Sequence, residues 1–170
     1  GRLADVVDVD HQFGNISAAL RPNQLFAIGG LPYVPVSREI AAAALTQVTE
    51  RLLTPMGLRT LDPADANYQG RYHGGVLERD GAYHQGTVWP WLIGPYVDAW
   101  LHVHGRHHGQ RAYARETFLR PLSEYRATIG LGQLPEVADG NPPQTPGGCP
   151  CQAWSLSEYL RLDQAVLAGE

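Results

Sequence analysis

Lysine is missing from the 170 residues, and all 13 basic side chains are arginines. That absence excludes chemistry built on an ε-amino group: Schiff-base catalysis, pyridoxal-phosphate anchoring, and the lysines that grip nucleotide phosphates in phosphate loops and kinases. Methionine occurs once, as Met56, so no initiator is present and Gly1 reads as a processing product or the start of a fragment. Residues Gly1-Arg2-Leu3-Ala4-Asp5 form no apolar h-region, and no signal peptide is visible. Long apolar runs are missing too. The longest spans residues 40–45, far short of the roughly 20 residues that cross a bilayer. Cysteine is scarce. Cys149 and Cys151 stand one residue apart, too close for an unstrained disulfide and not at the C-x-x-C spacing of zinc sites. They read as two reduced thiols in a cytoplasmic protein. A net charge of −4 lacks the basic stripe of a nucleic-acid binder.

What is present reads as one all-α region over residues 1–170, with no internal repeat. The spacing predicts a helix over 37–53, capped by Ser37, with Ala41, Leu45, Val48 and Leu52 on one face. A second helix is expected over about 87–103, with Pro90 in its first turn and a kink at Gly94-Pro95. A third is expected over about 110–129, where Phe118, Leu122, Tyr125 and Ile129 share a face and Pro121 interrupts. A fourth runs from near Gln152 to Gly169, with Ala153, Leu156, Leu160 and Leu167 inward, and a short one covers 23–28. The only strand signal is residues 5–9. Two long connections, 54–86 and 130–151, are rich in Gly, Pro, Asp and Asn, and loops of such length in a domain are usually functional or disordered.

The first connection ends in Arg79-Asp80-Gly81-Ala82-Tyr83-His84-Gln85-Gly86-Thr87-Val88-Trp89-Pro90-Trp91. Directional hydrogen-bonding groups alternate with flat aromatic rings there, the pairing a sugar wants for its hydroxyls and its C–H face. The same residues also fit a loop stapled to a helix start, and composition does not decide between the two. In the second connection, Glu136 and Asp139 are three residues apart among glycines and prolines, and glycosidic hydrolysis needs two carboxyl groups. Asp139-Gly140 reads equally well as a turn. His102-Val103-His104-Gly105-Arg106-His107-His108 raises a metal reading, but no acidic or cysteine partner stands at ligand spacing. Gly105 there reads as a helix stop. No metal site is expected.

Several blocks resemble the C-terminal region of glycogen debranching enzymes: Arg21-Pro22-Asn23-Gln24-Leu25-Phe26-Ala27, Leu52 to Leu61, Tyr68-Gln69-Gly70-Arg71-Tyr72, Arg79 to Trp91, and Gly148 to Ser155. Order and spacing agree over nearly the whole chain. The resemblance implies an (α/α)6 barrel, of which this chain supplies about the C-terminal half, and an amylo-α-1,6-glucosidase activity. It implies Glu136 as the general base of an inverting glycoside hydrolase. The flanking Pro135 and Ala138, and Pro150-Cys151 beside Cys149, depart from the usual family pattern. Asp80, Tyr83, His84, Gln85, Trp89 and Trp91 shape the implied subsite, with Arg71 and Tyr72 in the covering loop.

The resemblance places the general-acid aspartate upstream of the Arg-Pro-Asn-Gln block, outside this sequence, so the isolated chain is expected to lack full activity. The implied substrate is a branched α-glucan, glycogen or a limit dextrin. No cofactor, nucleic acid or membrane is expected. Half a barrel exposes apolar helix faces, so association with the missing half, or a homodimer, is expected. The alternative is a non-catalytic carbohydrate-binding or interaction module derived from such a barrel. Arg21, Arg59, Arg71 and Arg79 are expected to pin carboxylates and loop carbonyls, and the other arginines to be ordinary surface charge.

Overall fold

The computed structural model describes residues 3–168. Among them the chain is helix-rich: α1 Arg38–Arg51, α2 Val76–Ala82, α3 Ile93–His104, α4 His108–Ala114, α5 Arg120–Thr128 and α6 Ala153–Arg161. The Ser37 hydroxyl accepts from the Ile40 N–H at 3.4 Å, capping α1 where expected. Ala41, Leu45, Val48 and Leu52 are all buried, so the predicted face is the real one. Their apolar surface packs with Ile28, Tyr96, Val97, Trp100 and Leu122 in a single core cluster. Gly105, in the left-handed region at φ 102°, ends α3 as the sequence indicates.

The second helix differs from expectation. Val88–Trp89 is strand and Pro90–Leu92 a 3-10 turn, so the α-helix begins at Ile93. Gly94 and Pro95 therefore fall in its first turn, where the absent N–H breaks no bond, and no kink is needed. The third helix runs through Pro121 by placing a π turn, Arg115–Leu119, just before α5. Ile129 lies beyond the end of α5, 71% exposed, rather than on the core face. On α6 the inward face is Ser155, Tyr159 and Leu162, while Ala153 is exposed and Leu160 is 41% exposed. A π turn, Leu162–Val166, then brings Leu167 back to the core. The predicted helix end at Gly169 lies outside the described residues.

The all-α expectation is also corrected in its connections. The loop expected over 54–86 contains α2, and strands join stretches of sequence that show no pattern. β1 Val6–Val7 pairs with β2 Ile16–Ser17 in a hairpin. β3 Leu53–Thr54, β4 Gly57–Arg59, β5 Val88–Trp89, β6 Val137–Ala138 and β7 Pro146–Gly147 form one antiparallel sheet in sequence order. Strands of two or three residues are too short to display an alternating pattern, which is why the sequence hides them.

The sheet is what gathers the two long connections. Leu58 pairs with Trp89, Val88 with Ala138, and Val137 with Gly147. Gly57 permits the first of these contacts. At φ +132°, a Cβ there would stand 2.5 Å from the Trp89 carbonyl oxygen and 2.7 Å from Pro90 Cα. Gly57→Ala is expected to destabilise the chain by about 2 kcal/mol or more through strain and clash, read as a lower denaturation midpoint at unchanged m-value.

Candidate functional site

Strands β5 and β6 carry the two chemical segments of the sequence to one place. Glu136 immediately precedes β6, and Tyr83 lies in the turn after α2. The Tyr83 hydroxyl donates a short hydrogen bond to Glu136 Oε1. The Cys149 backbone N–H donates to the other oxygen, Oε2, at 2.8 Å. The Glu136 N–H in turn donates to the Cys149 carbonyl at 2.8 Å, so backbone and side chain grip the same turn. Gly148 is required beside it: its φ is +68°, and a Cβ would stand 2.5 Å from Glu136 Oε2. The carboxylate is half-buried and fixed by two donors from different parts of the chain. Burial first, then the hydrogen bond to Glu136 and its charge, push the Tyr83 phenol well above its ordinary value. It therefore stays protonated, and donates, throughout the physiological range.

Asp139, the other carboxylate of the pair, does a different job. It is buried, forms an ion pair with Arg71 Nη1 at 2.9 Å, and accepts from the Tyr72 N–H at 2.7 Å. Arg71 also donates to the Pro142 carbonyl at 2.9 Å. The two residues lock the loop over 68–72 onto β6 and its neighbours. Tyr72 consequently lies against Tyr83, with ring centroids 5.7 Å apart.

From Tyr83 a continuous series of aromatic contacts leads away from Glu136. Tyr83 meets Trp89 edge-on at 4.7 Å, and His84 stacks on Trp89 at 5.4 Å with 7° between planes. Trp89 meets Trp154 edge-on at 5.5 Å, Trp154 stacks on Trp91 at 5.2 Å, and Trp91 stacks on Phe26 at 6.2 Å. Trp89 is only 4% exposed and serves as backing, with its indole N–H bound to the Tyr83 carbonyl at 3.0 Å. Trp154, 45% exposed, offers an open ring face. Phe26 and Trp91 also line a cleft of about 460 Å³ beyond it, where Arg161 joins Asp98 and Glu158.

Of the residues that the sequence singles out, Glu136, Tyr83 and Tyr72 come together directly, and His84, Trp89 and Trp91 join them through the aromatic series. Gln85 faces inward to hold Arg21, whose guanidinium reaches Gln85 Oε1 at 2.9 Å, the His84 carbonyl at 2.6 Å and the Thr60 carbonyl at 3.0 Å. Asp80 and Arg79 are exposed on α2, and the Arg79 guanidinium makes no hydrogen bond or ion pair among the described residues. Sequence reasoning misses Trp154 and Phe26 as site residues. For the first, the available signal is a tryptophan placed three residues after a Gly-Cys-Pro-Cys turn. Cys149 acts here through its backbone, and both thiols are free and exposed. Among the described residues no group of three His, Cys, Asp or Glu side chains is placed to hold a metal ion. No described helix is long and apolar enough to cross a membrane.

A carboxylate held by oriented donors beside an open aromatic face suits general-base chemistry on a sugar. A family model for amylo-alpha-1,6-glucosidase matches residues 1–161. The chain belongs to this family. It is also 42% identical over 93 residues to the glycogen debranching enzyme of Saccharomyces cerevisiae, a match covering 50% of this chain and 6% of that relative. The amylo-alpha-1,6-glucosidase match covers every element of this site, from Phe26 to Trp154.

The His84 ring is predicted to titrate below 6.5, lowered first by burial and then by the nearby Arg21 charge. Below that pH the unfolded chain takes up the proton more readily, so this group costs stability as pH falls from 6.5 toward the folded-state value. NMR titration of the imidazole checks this, and a midpoint at or above 6.5 would contradict it. Tyr83→Phe, which keeps the ring contacts, is expected to cost about 1 kcal/mol in urea unfolding.

Proposed function

We propose that this chain carries the base side of an inverting glycoside hydrolase site that cleaves α-1,6-glucosidic branch points of glycogen-like glucans. Glu136 is the general base. Tyr83 and the Cys149 N–H orient its carboxylate so that a water on the open side loses a proton as it attacks the anomeric carbon. The Trp154 and Trp91 faces pack against glucose C–H surfaces, and His84 and Asp80 supply hydrogen bonds to hydroxyls. Arg71 and Tyr72 hold the covering loop. In this reading the helices form about half of an (α/α)6 barrel, and the general acid comes from a preceding segment. The supporting observation is the two-donor grip on Glu136 at the head of an aromatic series. No cofactor enters the hydrolysis, and the substrate is a neutral glucan handled in the cytoplasm.

The inverting geometry needs an acid and a base separated by roughly 6.5–9.5 Å, with the water between them. Asp139 does not qualify as the acid, because it is buried and engaged in holding the covering loop through Arg71 and the Tyr72 N–H. The matched relative is far longer than this chain, and a polypeptide that supplies the upstream residues is therefore the species to assay. In it, Glu136→Gln is expected to reduce glucose release from a branched limit dextrin by about 10²–10⁴-fold. The first glucose released should be the β-anomer, by NMR. An α-anomer, or full activity in the glutamine variant, would overturn the assignment.

The chain alone is expected to bind malto-oligosaccharides without hydrolysing them. In calorimetric titration Trp154→Ala should weaken that binding by about threefold to tenfold, the usual worth of one aromatic face. Turnover by the isolated chain, lost in Glu136→Gln, would show that the acid lies within it.

A further inference from the structure

Of the histidine–arginine run after α3, Arg106 borders the cleft at Phe26 and Trp91, and the structure builds a second pocket from the run as a whole. The pocket has a volume of about 440 Å³ and is lined by Arg106, His107, His108, Arg111, Arg115 and Leu167, with no carboxylate among its described lining residues. Arg115 is neutralised from behind by Asp163. The guanidinium groups of Arg106 and Arg111 make no hydrogen bond or ion pair among the described residues. Two guanidinium charges therefore stand uncompensated around one concavity, in a chain whose net charge is −4.

The walls of this pocket are fixed. Two π turns, Arg115–Leu119 and Leu162–Val166, border it. Arg115 ties them together, through the Asp163 carboxylate, the Asp163 carbonyl at 2.6 Å and the Leu167 carbonyl at 3.4 Å. Single π turns of this kind recur at functional sites because they re-aim side chains at an energetic cost. The arginines repel a metal cation, which removes the metal reading of the histidines. They suit a phosphate, whose oxygens match the planar guanidinium fork. The volume lies within the range of small-molecule sites, about 300–1,000 Å³, which exceeds what a bare anion needs. Leu167 adds an apolar wall for the rest of the ligand.

We propose that this pocket is a binding site for a phosphate monoester of a small sugar, with Arg106 and Arg111 holding the phosphate and Leu167 packing against the sugar. It lies at the C-terminal end of α3, and Arg106 stands between it and the cleft that Phe26 and Trp91 line. Neither Glu136 nor Tyr83 lines it, and neither proposal depends on the other.

Isothermal titration of the purified chain at constant ionic strength tests it, using glucose 6-phosphate, inorganic phosphate and glucose as probes. Saturable one-to-one binding of glucose 6-phosphate is expected, with weaker binding of inorganic phosphate and none of glucose. Arg106→Gln and Arg111→Gln should each weaken it by about tenfold or more. Their thermal midpoints without ligand should match the parent, since neither side chain holds another element. Failure of glucose 6-phosphate to bind at millimolar concentration would overturn the proposal. So would unchanged affinity in the folded double variant, or inorganic phosphate binding as tightly as the sugar phosphate.

Discussion

One backbone pairing organises this molecule. Val88 meets Ala138 across β5 and β6, and that register joins two stretches of chain about fifty residues apart. Tyr83 lies just before the first strand and Glu136 just before the second, so the antiparallel register sets phenol against carboxylate. The neighbouring pairs extend the same constraint. Leu58 against Trp89 fixes the start of α3, and Val137 against Gly147 returns the chain to Cys149, whose N–H completes the hold on Glu136. Buried backbone groups must find partners. In these long connections the small sheet supplies them, which stiffens loops that would otherwise be free to move.

The arginines serve the same end. Arg59 donates to the Gly140 carbonyl at 2.8 Å and to the Arg51 carbonyl at 3.1 Å, while Arg21 and Arg71 clamp the flanking loops. Three of the four arginines singled out in the sequence behave as loop clamps. The remaining arginines are not all plain surface charge. Arg51 grips Asp62 through two nitrogens, Arg115 joins Asp163, and Arg161 bridges Asp98 and Glu158. A guanidinium donates in several directions from one plane, whereas an ammonium is a point charge. A protein that uses its cations to span loops gains from arginine at each such position.

The chain falls into two ends related by α3. One end holds Glu136, the aromatic series and the loops clamped over them. The other holds the unpaired arginines and the two π turns. A neutral glucan suits the first, where rings and hydroxyl partners dominate. A compact anion suits the second, where charge stands open. The helix between them is buried over most of its length, and Arg106 borders both the anion pocket and the cleft at Trp91.

The helical content, the Ser37 cap and the core face of α1 were legible in the sequence, because each depends on residues a few positions apart. Family membership was legible too, since blocks of unusual composition carry it. Of the strands only β1 was legible, within the signal at residues 5–9; the others are too short to leave a period. Nor was the inward face of α6, where Ser155 and Tyr159 are buried in place of Ala153 and Leu160, a choice made by what the helix packs against. Above all, the division of labour between Glu136 and Asp139 could not be read from two acids three residues apart. Tertiary structure separates them: Asp139 is buried and engaged with Arg71 and the Tyr72 N–H, while Glu136 is half-buried beside Tyr83 and the Cys149 N–H. Local chemistry chooses which residues are able to act, and long-range backbone pairing chooses which of them is left free to do so.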